Sequence, residues 1–387
     1  MQGWKEKLLS QAGKEVMIKA VIQSIPAYSM SVFKLSVSLC KEIEMMIRRF
    51  WWGQHDAKRI HWVKWSSLCS SKSIGGMGFR DFQKFNNALL AKQVWRLVHQ
   101  KDSLLFKVFS ARYFPNCSVL DALIHPKCSY AWRSILQAQE VIEKGAIWRV
   151  GSGQQIEVWK HRWLPDPSYS KIITPKAVSI VLRVGDLFYD NTRTWDSGKL
   201  AANFYLWEAK MVSRIQVSEV GEEDLLVWPL TSDGNYSVKS AYRLLDSEEG
   251  KANPSSSTIT EQKCLWKKIW KIWSLTKIRH FMWRAAKDSL PTKQNLQARH
   301  VPVVETCELC GEQKETLLHS LWWCDQAQYV WKSDPSFFSL YQRQYWSFMD
   351  LISEVLNRFS TYRIALFSTI AWALWQRRNQ LRERQHT

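Results

Sequence analysis

The sequence lacks any long apolar segment. Its first residues carry charges at Lys5, Glu6 and Lys7, so no apolar stretch typical of a secretory signal is present. The most apolar run, 364–375, contains Ser368 and Thr369 and is too short to span a bilayer. We therefore expect no membrane segment and a protein that is intracellular, nuclear or cytoplasmic, and not secreted.

Acidic residues are also in short supply. The chain has 35 Asp and Glu against 54 Lys and Arg, a formal charge of +19. A surplus of this size attracts polyanions to the protein surface. Nucleic acid is the first candidate partner and an anionic membrane surface the second. The simplest alternative, that the charge only keeps the protein soluble, stays open.

What the sequence does contain is apolar and aromatic. Hydrophobic residues make up 46%, with 23 Trp, 16 Phe and 12 Tyr, which is not a disordered composition. Helical spacing of apolar residues predicts helices over 5–25, 38–50, 85–100 and 347–384, and two basic helices follow residue 263. A helix capped by Ser237 precedes a polar stretch, 246–262, that is the best linker candidate.

Two segments favour β-structure instead. Period-two patterns predict one hairpin over 147–159 around the turn 151–153, and a second over 224–240 around Asp233 and Gly234. The predicted fold class is therefore mainly α with small β-hairpins, an α+β protein of several helical parts that include a small zinc-binding helical domain.

One cysteine cluster has the spacing of a metal site. Of eight cysteines, three lie in the segment CELCGEQKETLLHSLWWC, which spaces Cys307, Cys310, His319 and Cys324 as Cys-x2-Cys-x8-His-x4-Cys. Such a Cys3His set is typical of a closed, structural Zn²⁺ site with no open position. A redox pair or ordinary buried cysteines are the alternatives, but neither explains the histidine and the third cysteine. We predict structural zinc.

The segment before this cluster is strongly basic. Between Lys263 and Arg299 it has ten Lys and Arg against one acid. Its tryptophans at 266, 270 and 273 have helical spacing and are predicted to be one buried stripe rather than base-stacking side chains. Basic residues on the other faces are then the candidate phosphate contacts. We select Lys277, Arg279, Arg284 and Lys287.

Several stretches of the chain match a known family in order. They are GWKEKLLSQAGKEVMIKAVIQSIPAYSMS, RRFWWGQ, GGMGFRDFQKFNNALLAKQVWRL, IWRVGSGQQIEVWKHRWLP, YSVKSAYRLL, KIRHFMWRAAKDSLPTKQNL and CELCGEQKETLLHSLWWCDQAQYVW. With these the chain resembles the C-terminal part of plant LINE-type (non-LTR) retrotransposon reverse transcriptases, including their zinc-binding domain. The resemblance implies a thumb-like helical region at the start of the chain.

The resemblance also shows what the chain does not share with that family. Family polymerases carry paired aspartates that hold two metal ions, and no Asp-Asp pair occurs in this sequence. The palm and endonuclease are expected to precede this region and a ribonuclease H region to follow it. The expected parts are a helical thumb-like or connection region (1–145), a small β-containing region (146–235), the zinc-binding domain (236–345) and a C-terminal helix (346–387).

The predicted function is therefore non-catalytic. We expect a zinc-binding fragment of a retrotransposon reverse transcriptase that binds nucleic acid, either RNA or an RNA/DNA hybrid, and is not an enzyme by itself. Three alternatives stay open: an active polymerase, a zinc-stabilised protein-interaction module, or a decayed retroelement fragment without a selected role. The sequence does not determine the oligomeric state.

Overall fold

The structure is a computed structural model that describes residues 9–53, 60–166, 169–176, 181–189, 192–217, 222–250 and 256–384. In these residues the α-helices, in chain order, are α1 Gln11–Met17, α2 Ala27–Met30, α3 Val37–Trp52, α4 Trp65–Cys69, α5 Phe82–His99, α6 Leu104–Tyr113, α7 Tyr130–Leu136, α8 Gln139–Gly145, α9 Ser197–Asn203, α10 Leu206–Ser213, α11 Val238–Gly250, α12 Ser256–Trp270, α13 Thr276–Ala286, α14 Lys293–Gln297, α15 Asp325–Lys332, α16 Phe348–Arg358 and α17 Thr361–Arg384.

Shorter elements complete the fold. Helices of the π type span Ile18–Ile22 and His319–Trp323, and 3-10 helices span Lys72–Ile74, Val184–Leu187 and Pro335–Gln342. The strands β1 Ile147–Arg149 and β2 Leu225–Val227 form an antiparallel two-stranded sheet, with Trp148 opposite Leu226. The predicted class, mainly α with a small β element, is confirmed. In the described part of the chain, no helix combines the length and the apolar character needed to cross a membrane.

The chain divides into two compact units. Unit 1 consists of 1–25, 37–81 and 254–387, and unit 2 consists of 26–36 and 82–253. The boundary near residue 253 falls inside the predicted linker. That linker is helical where it is described, because α11 extends through its first residues and α12 through its last, and 251–255 lie outside the described residues. Residues 5–8 of the helix predicted over 5–25 also lie outside the described residues.

Unit 1 has an aromatic core beneath α13. The fully buried rings of Trp51 and Trp283 lie 6.4 Å apart, and Phe79 meets Trp51 edge-on at 5.1 Å. The Trp283 indole donates a hydrogen bond to the carbonyl of Gly75 at 2.9 Å, so its polar atom is satisfied inside the core. Contacts with α1, α16 and α17 surround α13.

A buried polar cluster joins α1 to this core. The carboxylate of Glu15 lies 2.6 Å from the Lys19 ammonium, 2.7 Å from that of Lys72 and 3.2 Å from Nε2 of His280. Burial raises the pKa of Glu15, but these partners outweigh it and lower the pKa to about 2. The cluster therefore holds a charged carboxylate in a largely buried position.

Unit 2 is organised around α5. Of the apolar positions that predicted this helix, Leu90, Val94 and Trp95 are buried, and Leu89 and Val98 are half-buried. The helix packs against α7, α8 and α11. Asn86 attaches residues 26–36 to the helix, because its amide donates to the Met30 carbonyl at 2.7 Å and accepts from the Leu35 N–H at 2.8 Å.

The predicted hairpins are wrong in their pairing. Strand β1 is present at the predicted place, but its partner is β2 and not 156–159. The carboxylate of Asp224 accepts hydrogen bonds from the N–H groups of Gly151, Gly153 and Gln155, each at 2.8 Å, so this loop binds a side chain instead of turning into a strand. A Cβ at Gly151 would meet the 222–223 backbone at 2.5 Å, which explains the glycine there.

The second predicted hairpin is a closed loop. The Trp228 N–H donates to the Gly234 carbonyl at 2.8 Å, and α11 begins soon afterwards. Ser237 caps that helix as predicted, since its hydroxyl accepts from the Ser240 N–H at 3.1 Å. In this segment the residues after Ser237 therefore form a helix, as the capping residue predicted, and not a strand, as the period-two pattern predicted.

The helix predicted over 347–384 is two helices. Helix α16 ends at Arg358, and Phe359 has extended backbone angles. The Phe359 ring lies 5.8 Å from that of Phe337, and the Ser360 carbonyl accepts the Ile364 N–H of α17. Packing of this aromatic side chain and a new helix start account for the break.

Candidate metal centre

Four predicted ligands converge in unit 1. The thiols of Cys307, Cys310 and Cys324 and a ring nitrogen of His319 all lie within 4.8 Å of one another. Cys307 and Cys324 are buried, and Cys310 is half-buried. The first two ligands come from a loop and the other two from the ends of a helical turn.

A narrow loop positions Cys307 and Cys310. The Glu315 N–H donates to the Glu305 carbonyl at 2.7 Å, and the Cys307 N–H donates to the Gln313 carbonyl at 2.8 Å. These bonds close the segment 305–315, which we call the knuckle. Gly311 turns it with a φ of +72°, a conformation that favours glycine. Its N–H donates to the Cys307 carbonyl, and both thiols thereby lie at one end of the knuckle.

A π-helical turn positions His319 and Cys324. The Cys324 N–H donates to the His319 carbonyl at 2.8 Å, five residues back, so the wider turn brings both side chains to one side. Cys324 is then the N-cap residue of α15, which places its thiol at the start of this helix. A thiolate is favoured at a helix N-terminus because of the helix dipole.

The distances fit a tetrahedral zinc ion. The sulfurs of Cys307 and Cys324 lie 4.0 Å apart, and the Cys310 sulfur lies 3.4 Å from His319 Nε2. Bond lengths of ~2.3 Å for Zn–S and ~2.0 to 2.1 Å for Zn–N place tetrahedral ligands about 3.8 Å and about 3.6 Å apart, respectively. These two separations, together with the 4.8 Å limit on all four ligand atoms, suit one metal ion.

Electrostatics also favour a cation between these thiols. Burial raises the pKa of Cys324 to about 12, and the neighbouring thiols of Cys307 and Cys310 add to the effect. Three thiolates are therefore unfavourable in this place unless a divalent cation offsets their charge. Soft sulfur ligands with an imidazole select zinc over hard cations.

A buried ion pair attaches the knuckle to the rest of unit 1. Glu315 is 1% exposed and forms an ion pair with Arg378 of α17, which is 4% exposed. The Glu315 carboxylate also accepts the Lys293 N–H at 3.1 Å. The Lys293 ammonium binds the Thr306 carbonyl at 2.8 Å and Glu308 at 2.9 Å. Sequence reasoning missed this network, because no local pattern connects Glu315 with an arginine 63 residues later.

The four predicted nucleic-acid contacts have different surroundings in the structure. Lys277 is exposed, with its ammonium 4.4 Å from the Trp372 ring. Arg279 is half-buried and donates to the Trp270 carbonyl at 3.4 Å. Arg284 donates to the Ser289 carbonyl at 3.0 Å, and burial lowers its pKa to about 10. Lys287 lines a cavity.

The predicted tryptophan stripe is only partly correct. Trp266 is buried and Trp270 is half-buried, but Trp273 is 72% exposed. Helix α12 ends at Trp270, so the helical spacing that places 266 and 270 on the core does not extend to Trp273. The exposed indole lies in the turn between α12 and α13.

Comparison with known proteins agrees with this site. The model of the family described as zinc-binding in reverse transcriptase matches residues 236–331, which include all four candidate ligands. An uncharacterized mitochondrial protein of Arabidopsis thaliana is 43% identical over 145 residues, or 37% of this chain and 94% of that protein. A protein of the same plant named "Putative ribonuclease H protein" is 32% identical over 341 residues, or 86% of this chain and 53% of that protein.

A mainly helical protein with a Cys3His cluster of this geometry is a zinc-binding protein. The chain belongs to the plant retrotransposon-derived reverse-transcriptase proteins that carry this zinc-binding domain. It spans about half the length of the relative named for ribonuclease H.

Proposed function

We propose that the chain binds nucleic acid, RNA or an RNA/DNA hybrid, through the basic surface of unit 1, and that Cys307, Cys310, His319 and Cys324 hold a structural zinc ion that orders this surface. One observation carries the proposal. Of the ten basic residues between 263 and 299, Lys293 alone forms an ion pair with a carboxylate of the described residues. Among the others, Arg279 and Arg284 are partly buried, whereas Lys271 and Lys277 are exposed and have their charge available for phosphates.

The turn between α12 and α13 has the composition of a site that contacts single-stranded nucleic acid. Trp273 is exposed, and the lysines at 271 and 277 on either side of it are exposed as well. Exposed aromatic rings stack on unpaired bases, and lysines next to them neutralise the adjoining phosphates. Binding of this kind is governed by charge and depends little on sequence.

We propose no catalytic role for the described residues. Among them, the Cys3His cluster is the one group of three or more His, Cys, Asp or Glu side chains close enough to hold a metal ion. Its four protein ligands leave no position for a substrate. Two-metal chemistry needs converging carboxylates instead. Nucleotide incorporation in a primer-extension assay, or cleavage of RNA in a hybrid, by the purified chain would contradict this part of the proposal.

Binding is tested with a 20-nucleotide single-stranded RNA and an RNA/DNA hybrid at two salt concentrations. We expect affinity to fall steeply as salt rises, because phosphate contacts release counterions. Lys271→Glu/Lys277→Glu reverses two charges beside Trp273 and should weaken binding at least tenfold. The matched control, Lys101→Glu/Lys107→Glu, makes the same charge change on exposed residues of unit 2 and should have a smaller effect.

A protein-interaction module is the second candidate. It is favoured by exposed apolar side chains on α3, where Val37 is 52% and Met46 is 61% exposed. Exposed apolar surface of this kind is found at protein interfaces. If RNA binding is absent or independent of salt while Met46→Glu abolishes a purified partner's binding, this second function replaces the first.

A further inference from the structure

Unit 1 contains a cavity whose charged lining residues are all cationic. It has a volume of about 610 Å³ and lies between the second half of α3, residues 60–67, and the ends of α13 and α14. We call it the basic pocket and define it by the lining residues Arg48, His61, Trp62, Lys64, Lys287 and Arg299. Its size is in the range of sites that hold small ligands.

Charge in the basic pocket is unbalanced. Four of its lining residues are Lys or Arg, and no carboxylate of the described residues lines it. Like charges gathered around one concave surface repel one another and concentrate a positive potential there. Burial is the largest cause of the lowered pKa of His61, and the charges of Arg48 and Arg49 add to it. An anion in the cavity would relieve this repulsion.

Two polar atoms of these lining residues lack partners. Nε of Arg48 and Nδ1 of His61 are buried and have no hydrogen-bond partner among the described residues. Both atoms are shielded from the cavity by their surroundings, so a ligand would reach them only if the two side chains rotated. The observation that favours an oxyanion is the cationic lining itself, because several acceptor oxygens can pair with several Lys and Arg side chains at once.

Other contacts hold the pocket in shape. The guanidinium of Arg299 donates to the Trp62 carbonyl at 3.2 Å and fixes the segment that carries His61. The Lys287 ammonium lies 4.8 Å from the ring of Trp266, which is itself buried. Two walls of the pocket are therefore positioned by interactions that involve no ligand, and the cavity does not depend on an anion for its form.

We propose that the basic pocket binds a backbone phosphate of a single-stranded nucleic acid. Arg48, Lys64, Lys287 and Arg299 neutralise the phosphate, and the indole of Trp62 offers a surface on which the adjoining base stacks. This inference rests on the proposed function and names a specific site for it. It also gives Lys287, selected from the sequence, a place in a defined cavity.

The test compares two double variants that remove equal charge. Lys64→Gln/Lys287→Gln removes two ammonium groups from the lining of the basic pocket. Lys263→Gln/Lys267→Gln removes two ammonium groups from exposed positions of α12. Affinity for a 12-nucleotide single-stranded RNA is measured by fluorescence anisotropy between 50 and 200 mM salt. We expect the pocket variant to lose at least tenfold in affinity and the α12 variant less than threefold.

The outcomes separate the two proposals. If the parent chain binds no RNA, the proposed function fails. If the parent binds RNA but the pocket variant loses no more affinity than the α12 variant, the basic pocket is not a phosphate site and this inference alone is overturned. Zinc content and thermal unfolding confirm that both variants fold. Arg48→Gln serves as a second pocket variant, and it too should weaken RNA binding more than the α12 variant does.

Discussion

Different interactions stabilise the knuckle of unit 1 and the core around α5 in unit 2. We call the second region, which consists of α5, α7, α8 and α11, the α5 core. Four polar side chains suited to a metal ion and a buried Glu315–Arg378 ion pair hold the knuckle. The α5 core depends on apolar burial, with fully buried rings such as Trp132. The comparison teaches that one fold can hold a metal-dependent part and a metal-independent part, so a single perturbation should affect them separately.

The largest expected effect is removal of one zinc ligand. Cys310→Ser should abolish binding of about one zinc ion per chain. It should also unfold the knuckle, because metal binding and folding are coupled with a free energy on the order of 10 kcal/mol. Metal analysis and limited proteolysis around residues 300–345 measure both. Cys117→Ser, at an exposed position of unit 2, is the control. A variant that kept its full zinc content would remove Cys310 from the ligand set.

The second prediction concerns a substitution in the α5 core. Trp132 is fully buried and stacks on Tyr113 with ring centres 4.9 Å apart. Trp132→Ala should lower the free energy of unfolding of unit 2 by about 3 to 5 kcal/mol, because it leaves a cavity, and should leave zinc content unchanged. Urea unfolding with metal analysis checks this. Leu123→Ala, at a residue 84% exposed, should change little. Zinc loss from the tryptophan variant would mean that the two regions are coupled.

A third change tests the ion pair behind the knuckle. Glu315→Gln keeps an acceptor for the Lys293 N–H but leaves the buried Arg378 charge without a carboxylate. We expect a loss of about 3 kcal/mol in the free energy of unfolding, since an unpaired buried charge is strongly destabilising. Glu354→Gln breaks ion pairs with more exposed arginines and should cost less than about 1 kcal/mol. Equal effects in urea unfolding would show that burial of Glu315 is unimportant.

The smallest effect concerns pH. The folded pKa of Glu15, about 2, lies below its ordinary value near 4.5, so its stabilising contribution is complete above pH 4.5 and is lost as pH falls toward 2. Glu15→Gln should therefore destabilise the chain at pH 6 by on the order of 2 kcal/mol and by less than about half of that at pH 3. Urea unfolding of the parent and of the variant at each pH gives the difference between their free energies of unfolding. A loss of zinc at low pH that both proteins share does not change this difference. A difference independent of pH would contradict this account.

Local spacing predicted part of the structure well. The helix around Ala88 and Val94, the cap at Ser237 and the convergence of the four ligand candidates each depend on residues close together in the chain. Pairing of β1 with β2 was not predictable, because it depends on Asp224 binding a loop about 70 residues earlier. The four-part division at residues 145, 235 and 345 stays a prediction, which limited proteolysis of the zinc-loaded chain would test.

By itself the sequence determined the set of candidate ligands, the basic segment and most helices, since ligand spacing, charge and helical periodicity are properties of neighbouring residues. Only the tertiary structure decided that Trp273 is exposed, that Arg378 meets Glu315 and that Lys64 and Lys287 line one cavity. Each of these three features depends on which segments, far apart in the chain, pack against one another and which side chains they leave in water. Burial of that kind is set by the packing of the whole unit and leaves no pattern in a short stretch of sequence.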